Sequence, residues 1–293
     1  TLGALLREHA QRQPRAVAMA DPPNLHALCD QVPRQWEWAQ VQQEVGRMAA
    51  LLHALGLRKD DVVLVQLPNG VLLHTLYLAC ACSGIVVTPV PVQYRGHELD
   101  HVVATTGARA AITLARVGHH ALAQGLIAHF GNRLPVWGFG GGLPDGVQAL
   151  DDALAATVPW TAQALQDHET AIGLTAHDVV TICWTSGTEA RAKGVPRNHN
   201  EWLIVGHSVA DAAQLQAGAR MVIPFPFVNM AGLSTSLAAW LLVGGELHHH
   251  HPFDLDVFIA QLRDHPTDYT VAAPAVLTLL LKSPERLRDV NLG

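Results

Sequence analysis

Between Thr181 and Asn200 the chain reads TICWTSGTEARAKGVPRNHN. Thr185, Ser186, Gly187 and Thr188 set three hydroxyls and a glycine side by side. Glu189 adds a carboxylate, and Lys193 and Gly194 follow closely. Backbone N–H groups, small hydroxyls and one ammonium suit the oxygens of a polyphosphate, and glycine lets the backbone come close to them. The segment is not the common P-loop, because G-x-x-x-x-G-K-[ST] is absent and no long helix pattern starts after Lys193. Of 19 basic residues only Lys59, Lys193 and Lys282 are lysines. A lysine here, in a chain that otherwise uses arginine, suits a compact point charge better than a planar fork. The plain alternative is a surface turn between strands. Glu189 would face phosphates only through a cation or water, since a bare carboxylate repels them; a solvated loop carboxylate serves as well.

A second conspicuous group is His248, His249, His250 and His251. Strand residues alternate faces, so at most two neighbours could share a metal ion. No cysteine or paired carboxylate completes such a site, and no metal site is assigned. Asp151 and Asp152 read as a helix start, and Asp254 and Asp256 as a first helical turn, where negative charge is favourable.

The hydroxyl-rich loop needs elements to hold it. Val179 to Trp184 is a β-type run leading into it. Around it strand and helix patterns alternate: a helix over 38–55 closed by Gly56, a strand over 61–67, and a Pro68-Asn69-Gly70 turn into a helix through Cys82. A strand over 85–90, a helix over 97–106, a strand over 109–114 and a helix over 119–130 follow. Gly138 to Gly142 reads as a flexible turn and 157–177 as a linker. Beyond the loop, Asn200 is expected to cap a helix from Glu201 to about Leu215. Strands over 220–225, 246–250 and 269–272 alternate with helices over 231–242 and 254–264, and Pro274 opens a last helix. Such alternation predicts an α/β fold of mostly parallel sheets flanked by helices. Two subdomains are expected, 1–160 and 161–293, the second carrying the loop.

Composition agrees. The chain has 293 residues, 49% hydrophobic and 15% charged, which suits a globular protein and not a disordered one. A net charge of -6 disfavours nucleic acid and anionic membranes as partners. The four cysteines, Cys29, Cys80, Cys82 and Cys183, form no C-x-x-C pair. Reduced, buried thiols in a cytoplasmic protein are expected. The most apolar stretch, 76–92, is broken by Gly84, Pro89 and Pro91, so no membrane span is expected.

The loop resembles the phosphate-binding signature of the acyl-adenylate-forming superfamily, which comprises acyl-CoA synthetases, aryl-CoA ligases, luciferases and peptide-synthetase adenylation domains. Trp184 to Glu189, Lys193 to Val195 and His199 match the pattern; Ala190 and Ala192 stand where glycine and proline are usual. Other segments are similar too: Arg58 to Gly70, Leu78 to Val90, Pro224 to Leu233 and Thr267 to Leu281. The TSGTE form is nearest the acyl-CoA and aryl-CoA ligase branch.

The resemblance implies ATP-dependent activation of a carboxylic acid as acyl-AMP, then thioester formation with CoA. Thr185, Ser186, Gly187, Thr188, Glu189 and Lys193 would meet the ATP phosphates, with Mg²⁺ bridging phosphate oxygens. Asn229, Met230, Ala231 and Gly232 would line the acyl pocket, Gly232 letting substrate approach a helix start; core packing is the alternative for Met230. His199 would shape the nucleotide or pocket wall, or simply help cap the next helix. The chain, which opens at Thr1 and stops at Gly293, is expected to be the front half of such an enzyme. The family's later catalytic lysine, metal-binding glutamate and hinge lie beyond it. No catalytic residue is therefore assigned, and the piece alone is expected not to turn over. Two alternatives stand: an adenylation enzyme that loads a carrier protein, and a non-catalytic nucleotide- or acyl-binding module. The acid itself and any homo-oligomer are left open.

Overall fold

A computed structural model describes residues 1–185, 191–264, 266–288 and 290. In chain order the first part runs α1 (Leu2–Arg12), β1 (Val17–Ala20), α2 (Leu25–Cys29), β2 (Gln35–Glu37), α3 (Trp38–Ala54), β3 (Val62–Gln66), α4 (Val71–Ser83) and β4 (Val86–Pro89). It continues through α5 (Gly96–Thr106), β5 (Ala110–Leu114), α6 (Leu122–Phe130), β6 (Val136–Phe139), β7 (Gln148–Ala149), α7 (Asp151–Ala156) and α8 (Ala162–Ala171). Then come β8 (Val179–Trp184), β9 (Gly194–Asn198), α9 (His199–Ala212), β10 (Arg220–Ile223), α10 (Met230–Gly232), α11 (Ala239–Val243), β11 (Glu246–His249), α12 (Leu255–Asp264) and α13 (Pro274–Leu281). A π-helical stretch, Leu233–Ala238, joins α10 to α11.

A seven-stranded sheet has the order β7-β6-β5-β3-β4-β8-β9, and a four-stranded sheet the order β10-β11-β1-β2. Both are parallel except at one edge, where β9 runs against β8 and β2 against β1. The large sheet holds its register through Val63 opposite Val87 on one side and Ala110 on the other. Strands β3 and β5 are mostly apolar runs buried on both faces, as a covered parallel sheet requires. The expected α/β class is what the chain adopts.

Helix α4 explains its own unbroken apolar sequence: every residue from Val71 to Ser83 is buried. It packs on β4 and β8 of the large sheet and reaches β11 of the small one, where His74 Nδ1 and His249 Nε2 lie 2.8 Å apart. Helix α3 covers it with an apolar face, begins with a Glu37–Gln40 capping box, and is followed by Gly56 in the left-handed region at φ +89°.

Several local expectations are corrected. The stretch 157–177 is no linker: it contains α8, capped by Thr161, with Leu165 fully buried and Glu169 gripping Arg7 through two 2.7 Å bonds. Its sparse apolar residues fall on one face, which is enough for a docked helix. Helix α6 starts at Leu122, because His120 pairs with Val117 just before it. Gly138 lies inside β6, ahead of the turn. The cap of α9 is Asn198, not Asn200, in a capping box with Glu201. Residues 269–272 form no strand; Tyr269 makes a single bridge to Met221. Both sheets draw strands from either side of residue 160, so they divide the chain differently from a cut there.

Candidate functional site

Strands β8 and β9 form a hairpin whose tip is the hydroxyl-rich loop. Its base is tied shut: Thr185 N donates to the Lys193 carbonyl at 3.1 Å, and Lys193 N donates to Thr185 Oγ1 at 3.0 Å. Trp184 pairs across the hairpin with Gly194, where an added Cβ would come within 2.9 Å of Ile182 and 3.3 Å of the Trp184 ring. Glycine there gives the indole its room. The indole N–H is held by Thr88 at 2.8 Å, and the Ala192 carbonyl lies 2.7 Å from His101 Nε2 on α5. Lys193 is exposed. Ser186, Gly187, Thr188 and Glu189 lie outside the described residues.

Next to this hairpin is a cavity of about 270 Å³. Leu67, Pro89 and Trp184 enter it from the carboxyl ends of β3, β4 and β8; Asn229 and His251 come from the segments after β10 and β11. The cavity thus sits at the carboxyl ends of parallel strands from both sheets, the position where open α/β sheets bind ligands. Asn69 fixes its floor. Its side chain donates to the Phe225 carbonyl at 2.8 Å and accepts from Phe227 N at 2.9 Å, joining the turn after β3 to the loop after β10.

Of the four residues expected in an acyl pocket, Asn229 lines this cavity. Its Oδ1 accepts from Gly232 N at 2.8 Å, capping α10. Met230 packs on the main core, and Ala231 is exposed. At Gly232 an added Cβ would meet the Pro226 carbonyl at 2.0 Å, so its missing side chain makes room for the 226–232 loop itself. His199 is buried at the far end of β9. Its Nδ1 accepts from Leu2 N at 3.2 Å, so it caps α1 across the fold rather than its own helix, and burial drives its pKa down to about 4.

The histidine run is wired into the core. His249 Nδ1 lies 2.6 Å from the Ala20 carbonyl, His250 Nδ1 2.7 Å from Gln261 Oε1, and His248 Nε2 2.7 Å from Glu246. Its last member differs: His251 faces the cavity, while its Nδ1 accepts from Asn69 N at 3.3 Å. Burial lowers its pKa to about 4. Weighing the run only for metal binding missed this residue, and Gln93 and Tyr94 beside it. The alternation that assigned neighbours to opposite faces was the available signal. Among the described residues there is no group of three or more His, Cys, Asp or Glu that could hold a metal ion. None of the helices described is long and apolar enough to cross a membrane.

Sheets of this order with a crevice at their carboxyl ends, beside the β8–β9 hairpin, define an α/β fold with its ligand crevice at the strand ends. The chain belongs to the AMP-binding enzyme family, whose model matches residues 6–291. It is 24% identical over 292 residues to a long-chain-fatty-acid–CoA ligase of Mycobacterium tuberculosis, covering 97% of this chain and 52% of that one. It is 27% identical over 269 residues to a mitochondrial medium-chain acyl-CoA ligase of Macaca fascicularis, covering 84% and 42%. The chain thus spans about half the length of the curated relatives it matches. In fold it is similar to the N-terminal domain of FACL13 from Mycobacterium tuberculosis, with a TM-score of 0.76 at 22% identity over 98% of this chain and 66% of that one.

Proposed function

We propose that this chain is the ATP- and acid-binding part of an AMP-forming acid–thiol ligase. Such an enzyme joins a carboxylate to AMP as a mixed anhydride and then passes the acyl group to the thiol of CoA. The observation that carries the reading is that Trp184, the residue immediately before the hydroxyl-rich loop, walls the same cavity as Asn229. An acid in that cavity would have its carboxylate within reach of a nucleotide held at the hairpin tip.

In this reading Thr185, Ser186, Gly187 and Thr188 surround the departing phosphates with backbone N–H groups and hydroxyls, and Lys193 supplies a positive charge as pyrophosphate leaves. The Thr185–Lys193 bonds keep the loop ends together, so the tip is presented from a rigid base. Asn229 forms part of the wall for the acyl group, and Trp184 and Pro89 its apolar side. Mg²⁺ would arrive with the phosphates, neutralising their charge. Completed turnover is ascribed to a chain of the relatives' length, and residues 1–293 alone bind without turning over.

The test is product analysis. The full reading frame that contains these residues is incubated with ATP, Mg²⁺, CoA and a panel of aliphatic and aryl acids, and products are read by mass spectrometry. Acyl-AMP and acyl-CoA are expected; ADP as the nucleotide product would sink the reading.

A further inference from the structure

We infer that His251 selects the acid: its Nε2–H is a fixed, uncharged donor for an oxygen acceptor carried on the acyl tail. The inference rests on the proposed function for there being an acid to select.

Geometry fixes the tautomer. Asn69 N donates to His251 Nδ1 at 3.3 Å, so in the neutral ring the proton sits on Nε2. That nitrogen has no hydrogen-bond partner among the described residues, and the ring lines the cavity. Turning the ring over would break its bond from Asn69 N, a donor held in place because Asn69 is fully buried and anchored to Phe225 and Phe227. Burial keeps the imidazole neutral, with a pKa of about 4, so the donor does not become a cation near neutral pH.

A second donor stands in the same wall. Asn229 Oδ1 is taken by Gly232 N, which leaves the Nδ2 amide hydrogens for the cavity side. No aspartate, glutamate, lysine or arginine is among the described residues lining the cavity. Its polar side chains, His251, Asn229, Gln93 and Tyr94, are therefore uncharged, and His251 Nε2–H and the Asn229 amide are donors among them. A tail ketone, ether or hydroxyl oxygen would satisfy them. A wholly apolar tail would strip water from these donors and leave them unpaired, which is how a polar site rejects an apolar analogue. A second carboxylate would enter without a cationic partner.

The test uses acid pairs matched in size: para-methoxybenzoate against para-ethylbenzoate, and a keto fatty acid against its methylene analogue. Binding to the full reading frame is measured by calorimetry, and kcat/KM by acid-dependent pyrophosphate exchange. The wild type is expected to favour the oxygen-bearing member by about tenfold. His251→Leu brings that ratio close to one, and His251→Gln, which keeps a donor, restores part of it. A wild-type ratio near one overturns the inference, as does a ratio unchanged in His251→Leu or a loss of both members alike. If His251→Leu does not fold, the wild-type ratio and His251→Gln decide. A binding preference without exchange for any acid overturns the proposed activation and leaves the role of His251 intact; exchange without preference does the reverse.

Discussion

Asn69 and Phe227 lie 158 positions apart, yet the Asn69 side chain accepts the Phe227 backbone N–H at 2.9 Å. The same side chain donates to the Phe225 carbonyl, and the Asn69 backbone N–H reaches His251. One buried residue therefore ties together the ends of β3, β10 and β11, three of the strand ends around the cavity.

Removing that amide orphans buried backbone groups on the partner loop. Asn69→Ala is expected to cost about 2–4 kcal/mol, since each buried group left unsatisfied costs roughly 1–3 kcal/mol. Denaturant unfolding measures it. Asn69→Asp should fare little better, because it loses the donor to Phe225. A change under about 0.5 kcal/mol, the range of ordinary surface substitutions, would show that the tie carries no strain-bearing role.

Gly232 offers a sharper steric test. A Cβ at this position would sit 2.0 Å from the Pro226 carbonyl. Gly232→Ala should destabilise by about 1–3 kcal/mol, as overpacking does. It should also weaken acid binding, because the 226–232 loop carries Asn229. Ala231→Gly, next door and exposed, should leave acid binding unchanged. Equal effects from the two substitutions would contradict the steric account.

Acid should loosen the fold before carboxylates protonate in bulk. Burial depresses His199, His249 and His251 from 6.5 to about 4. Between those values the unfolded chain binds protons that the folded chain refuses, so stability is full above 6.5 and falls as pH drops towards 4. Denaturation midpoints measured across this window should decline steadily. In His199→Gln, which can still accept from Leu2 N, the slope should be shallower by about one proton. A flat profile in the wild type would show that these rings are not held neutral.

How much of this was legible beforehand differs by element. Helix α4 and strands β3, β4 and β5 announced themselves because burial on all sides leaves long apolar runs bounded by Gly56, Gly70 and Gly84. Short edge pieces did not: β2 has three residues and β7 two, and each is fixed by pairing with the strand before it, β1 and β6, rather than by its own pattern. Helix α8 was hidden because one buried leucine and one ion pair suffice to dock it. At the site, the expected acyl-pocket residue Asn229 lines a cavity beside the β8–β9 hairpin, and Ser186 to Glu189 of the signature lie outside the described residues. The contacts of Gly232 and His199 with Pro226 O and Leu2 N were not legible, because they are set by tertiary packing and leave no local trace. His251 was obscured by its three neighbours, which look identical in sequence and face elsewhere in space.

In the proposed ligase the Thr185–Lys193 hairpin grips the departing phosphates while the adjoining cavity holds the acid. Acid-dependent exchange of radiolabelled pyrophosphate into ATP tests it directly, using the full reading frame as wild type and as Lys193→Ala. Lys193 is exposed, so the variant should unfold within about 0.5 kcal/mol of the wild type. Its exchange should nevertheless fall by about 100-fold, the scale of losing one preorganised group opposite developing negative charge. Exchange that needs no acid, or that survives in Lys193→Ala at the wild-type rate, would contradict the account.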